Sequence, residues 1–105
     1  MKKTALLAFA FLILGSLSLA AAKAFTGTVS DAHCGAKHAV ASDAAAACVE
    51  KCVSGGAAYV LVSKGKVYQL DAQDKFKGMG GKSVTVTGTI KGDNITVTNV
   101  AERTS

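Results

Sequence analysis

Tyr59-Val60-Leu61-Val62-Ser63-Lys64-Gly65-Lys66-Val67-Tyr68-Gln69-Leu70 sets two short runs of β-forming residues on either side of a connection that ends in glycine. Branched and aromatic side chains fit a pleated surface, and Gly65 supplies a turn conformation that other residues resist, so the stretch reads as a β-hairpin. A second hairpin lies downstream. Residues 83–90 and 95–100 alternate valine or isoleucine with threonine around Lys91-Gly92-Asp93-Asn94, which predicts one buried and one solvated face. Between the hairpins, residues 71–77 run into Gly78-Met79-Gly80-Gly81 and predict a helical turn that offers Phe76 and Met79 to the core. Upstream, Phe25-Thr26-Gly27-Thr28-Val29 reads as the first strand, with Gly27 marking a bend or bulge.

Strand, hairpin, helical turn, hairpin is the order of a small five-stranded OB-fold-like barrel, a mainly β fold. Closure would remove the edges that such short strands otherwise expose. An open antiparallel sheet covered by a helix is the competing arrangement. The alternation predicts a core of Val60, Leu61 or Val62, Val84, Val86, Ile95 and Val97. Between the first strand and the first hairpin, residues 44–53 are rich in alanine, follow Ser42 or Asp43 as N-cap and stop at Gly55-Gly56, which predicts a helix inserted after the first strand.

Residues 1–24 read as a signal peptide. Lys2 and Lys3 form a positive start, an apolar stretch follows, and Ala20-Ala21-Ala22 or Ala22-Lys23-Ala24 offers an A-x-A-like cleavage site. The apolar part is too short for a comfortable membrane span, and no cysteine follows it until Cys34, so no stable membrane anchoring is expected after processing. The expected product is exported, periplasmic or secreted. Residues 25–105 then form one domain, small enough that a metal or a disulfide commonly supplements its core. Loss of Lys2 and Lys3 lowers the formal charge from +5 to +3 if Lys23 stays. A surplus that small and dispersed predicts no nucleic-acid partner.

Three cysteines and two histidines fall between His33 and Cys52. Cys34 and His38 form C-x(3)-H, Cys48 and Cys52 form C-x(3)-C, and nine residues separate the pairs. Each pair closes a small loop, and the second pair reaches an ion held by the first at high effective concentration. In the helix, Cys48 and Cys52 stand one turn apart on one face. The spacing departs from the standard zinc signatures. An exported chain meets oxidising conditions, so a disulfide from Cys34 to Cys48 or Cys52 is the competing reading; it would stabilise the fold by about 3 kcal/mol and leave one thiol over. A Cys48–Cys52 bridge suits helix geometry less well. His33, next to Cys34, aims elsewhere. Asp31 reads first as a turn cap and second as a carboxylate orienting a ligating histidine.

Ser30-Asp31-Ala32-His33-Cys34-Gly35-Ala36-Lys37-His38, then Cys48-Val49-Glu50-Lys51-Cys52-Val53 and the Tyr59 strand, is similar to a set of small exported bacterial proteins of unknown function. These carry an S-D-x-x-C-G-x-x-x-H loop, a C-x(3)-C helix and an OB-like strand run ending in V-T-V-T-G. The resemblance covers nearly all of the chain after the leader. It implies the fold and the grouping of Cys34, His38, Cys48 and Cys52, and no activity.

Two functions are therefore weighed. The first is an exported metal-binding module with Cys34, His38, Cys48 and Cys52 as ligands. Zinc is the expected ion for a Cys₃His set, and copper(I) is less suited because only Met79 remains as a thioether after the leader. The second is a disulfide-braced barrel that binds an unidentified protein or small molecule. No enzyme is expected: there is no paired-carboxylate or serine-histidine-acid pattern, and the C-x-x-C redox and C-x-x-C-H haem motifs are absent. Phe25, Tyr59, Tyr68 and Phe76 are assigned to core packing rather than to a stacking platform.

Overall fold

The computed structural model describes residues 22–103. The signal peptide assigned to residues 1–24 lies almost entirely outside them. Five strands form a closed barrel: β1 (Lys23–Asp31), β2 (Tyr59–Ser63), β3 (Lys66–Leu70), β4 (Ser83–Lys91) and β5 (Asn94–Glu102), in the order β1-β2-β3-β5-β4. β1 to β2, β2 to β3, β4 to β5 and β1 to β4 are antiparallel, and a short parallel contact, Gln69 with Asn94 and Leu70 with Ile95, joins β3 to β5. This is the strand order of an OB-fold. The open-sheet alternative is set aside by the pairing of β1 with β4.

β1 serves two neighbours. Its first half pairs with β4, from Lys23 with Gly88 to Thr28 with Ser83, and its second half with β2, from Thr28 with Val62 to Asp31 with Tyr59. Gly27 sits at the changeover, where a Cβ would lie 2.2 Å from the Val62 carbonyl oxygen. A side chain there would push β2 away, so the glycine permits the close approach that closes the barrel.

The interior is apolar and continuous. Val29, Leu61, Leu70, Phe76, Val84, Val86, Ile95 and Val97 pack together, joined by Tyr59 and by Val49 of the helix. On β4, Val84 and Val86 point inward between the partly covered Thr85 and Thr87, as the alternation requires. Val60 and Val62 are buried differently. They pair with Ser30 and Thr28, share that outer face of the sheet, and lie beneath the chain that follows β1. β2 is thus buried on both faces, which an apolar run without alternation had left undetermined.

Phe76 comes from the 3-10 helix Gln73–Phe76 between the hairpins and is fully buried. Gln73 anchors that turn: its side chain accepts the Tyr59 N–H at 2.7 Å and donates to the Tyr59 carbonyl at 3.0 Å and the Leu70 carbonyl at 2.9 Å. Tyr59 packs against Phe76 and Phe25 against Tyr68, with ring centroids 6.4 and 5.8 Å apart, so all four aromatics serve the core.

The helix α1 (Asp43–Ser54) lies between β1 and β2 in sequence. Ser42 is its N-cap and accepts the Ala45 N–H at 2.9 Å, a contact that contributes about 1 kcal/mol. Ala45 and Val49 form its buried stripe. The stripe lies against Gly80 and Gly81, where a Cβ on Gly81 would come within 2.2 Å of the Ala46 nitrogen. Two glycines therefore let the helix backbone rest on the loop before β4. No helix among the described residues is long and apolar enough to cross a membrane.

Candidate metal centre

Cys34 and His38 are presented by a loop that the barrel wall holds down. Thr28 and Ser30 point out of the barrel and are nonetheless buried. The Thr28 hydroxyl donates to the Ala39 carbonyl at 3.1 Å, and the Ser30 hydroxyl to the Gly35 carbonyl at 2.8 Å. These bonds pin both ends of the 3-10 helix Gly35–His38. Gly35 enters it with φ +51, a left-handed conformation that glycine adopts without a steric cost.

Asp31 ends β1 and is fully buried. Its Oδ1 accepts the backbone N–H of His33 at 2.9 Å and of Cys34 at 2.8 Å, the turn cap that the sequence led one to expect. Its Oδ2 has no hydrogen-bond partner. Among the described residues the only other buried side-chain polar atom in that position is Nε2 of His38. Burial of an unpaired polar atom costs about 1–3 kcal/mol, so each needs an explanation.

The cysteine face of α1 supplies one. Donor atoms of Cys34, His38 and Cys48 lie within 4.8 Å of one another, and so do those of Asp31, Cys34 and Cys52. The two residues with an orphaned atom each belong to one of these triads, and Cys34 belongs to both. Zinc bonds of about 2.3 Å to sulfur and 2.0–2.1 Å to nitrogen set the donors roughly 3.5–4 Å apart, so side-chain movements of about 1 Å would close either triad on an ion.

The four residues expected from spacing are therefore neighbours, but they do not converge on one point. Cys34, His38 and Cys48 meet; Cys52 meets Cys34 beside Asp31 instead. His33 is exposed, belongs to neither triad, and takes part through its backbone N–H alone. Asp31 as a donor was missed by the sequence reading. The D-x-x-C spacing was visible, but nothing in it tells that one carboxylate oxygen caps the turn while the other is left without a partner.

All three cysteines are free thiols and half-buried. Removal from water and the nearby Asp31 carboxylate push the Cys34 thiol above its ordinary value, with Cys48 adding to the effect. The same two causes, with Cys34 and Cys48 behind them, push Cys52 up to about 11. Thiols so placed are protonated at neutral pH and are poor nucleophiles. A cation beside them would reverse this, since an ion's own charge dominates local ionisation.

No family model, curated protein or solved structure matches the chain, and the site is read from its own donors. Those donors define a barrel with a Cys/His cluster close enough to hold a metal ion.

Proposed function

We propose that this chain is an exported metal-binding module, acting by binding rather than catalysis, whose Cys34, His38, Cys48 and Cys52 take up zinc. One observation carries the reading: the buried polar atoms left without partners, on Asp31 and His38, belong to residues grouped with the cysteine thiols. Metal ligation in this cluster gives such residues a partner. Zinc is favoured over copper(I) because imidazole and carboxylate accompany the thiols, and because Met79 packs against the barrel core, not among these donors. Export is supported by the leader-like sequence of residues 1–24.

The test is metal content together with metal-dependent stability. Mature protein recovered from the exporting cell is expected to carry zinc and to lose thermal stability with a chelator, because ligation energy becomes folding energy when the site does not exist in the unfolded chain. His38→Ala is expected to weaken zinc binding with the fold retained. Indifference to chelator, combined with a loss of stability on reduction, would instead establish the disulfide-braced barrel.

A further inference from the structure

We propose that the cluster holds two ions, with the Cys34 thiolate bridging them: one bound by Cys34, His38 and Cys48, the other by Cys34, Cys52 and Asp31. The inference rests on the reading that the cluster binds metal and adds its stoichiometry, its bridging atom and its fifth donor.

Three observations carry it. The donors form two overlapping triads that share a single atom, the Cys34 sulfur. An ion in the first triad engages His38 and leaves Asp31 out; an ion in the second does the reverse. Only both together engage both residues that carry an unpartnered buried atom. Charge points the same way. Metal-bound thiols give their protons to solvent, so three thiolates and one carboxylate bring four negative charges, which two divalent ions cancel. A single ion in either triad binds two thiolates while the third thiol keeps its proton, and with the Asp31 carboxylate this leaves one net negative charge on a half-buried site, where uncompensated charge is costly.

Asp31 has the position such a ligand needs. It is fully buried and held rigidly, because Oδ1 is fixed by two backbone N–H groups at the end of β1. The remaining oxygen is pre-oriented, which is how neighbouring hydrogen bonds normally set a metal ligand. With three protein donors, each ion keeps a further coordination position for water or another small ligand.

The experiment is a titration of the reduced, metal-free mature chain with Zn²⁺ as the sole metal, read by native mass spectrometry. Two ions per chain are expected. Asp31→Asn, which keeps an oxygen to cap the turn, should bind one, and so should Cys52→Ser, which tests the same triad if the first variant fails to fold. Cys48→Ser should also bind one, through the second triad. Cys34→Ser should lose both, because it removes the shared atom. X-ray absorption of the doubly loaded protein should show a metal–metal distance of about 3.5–4 Å, as in other two-metal sites. A single ion on the unaltered chain would overturn the inference and leave the metal-binding reading intact. Two ions retained by Asp31→Asn and Cys52→Ser, or one retained by Cys34→Ser, would also overturn it. No bound zinc at all would overturn both.

Discussion

Glu50 accepts the Tyr59 hydroxyl at 2.8 Å through Oε1 and the Gly80 N–H at 2.9 Å through Oε2. One carboxylate on α1 thereby ties the helix to β2 and to the loop before β4, and this fixes how Cys48 and Cys52 face Cys34.

Removing that tie should cost stability and metal affinity together. Glu50→Ala frees a buried hydroxyl and a backbone N–H and is expected to destabilise the fold by about 2–3 kcal/mol, while Tyr59→Phe, which loses one bond, costs about 1 kcal/mol. Denaturant unfolding measures both. Glu50→Ala should also bind zinc more weakly although it touches no donor. Unchanged affinity would show that the helix is positioned by Ala45 and Val49 alone.

A charge inside the barrel should prevent folding. Val86 is fully buried on β4, and a domain this small has a total stability near the low end of the usual range, about 5 kcal/mol. Val86→Asp places an unpaired carboxylate there at a comparable or larger cost. Thr96→Asp, on the exposed face of β5, should change stability by no more than about 0.5 kcal/mol. Circular dichroism and thermal melts of the pair test the strand register.

The metal-free protein should become less stable as pH rises above 9. Cys52 ionises near its ordinary value of 9.0 in the unfolded chain but only near about 11 in the fold. Between those values the folded chain holds more protons than the unfolded one, so the free energy of unfolding falls with pH. Burial and Glu50 also raise Tyr59, and its ion pair with Asp93 raises Lys66, adding the same slope at higher pH. Zinc binding should run the other way and tighten from pH 6 to 8, because protons must leave the thiols. Melts of the chelated protein from pH 9 to about 11, and zinc competition from pH 6 to 8, separate the two trends.

Processing should occur after Ala22. Lys23 and Ala24 pair with Gly88 and Thr87 as the first two residues of β1, so cleavage after Ala24 would remove a part of the β1–β4 contact that closes the barrel. Intact mass of the exported protein is expected to place Lys23 at its N-terminus, and a chain beginning at Phe25 would refute this.

Both hairpins, the capped helix and the turn carrying Phe76 were legible in the sequence because each depends on neighbours a few positions away. Alternation placed Val84 and Val86 inside, Gly65 marked a turn, and Ser42 capped its own helix. The C-x(3)-C spacing likewise put Cys48 and Cys52 on one helical face, since 3.6 residues per turn allow nothing else.

What the sequence by itself determined, then, is what each segment does locally and which residues supply thiols and imidazole. Tertiary structure alone decided that β1 closes on β4, that Val60 and Val62 lie beneath the cysteine loop, that Asp31 keeps an oxygen without a partner, and that the donors split into two triads around Cys34. The split into triads depends on where α1 docks, and the docking is set by Gly80, Gly81 and Tyr59, far from the cysteine loop in the chain. Local periodicity records a residue's relation to its own helix or strand. It carries no record of contacts that form only when distant segments pack.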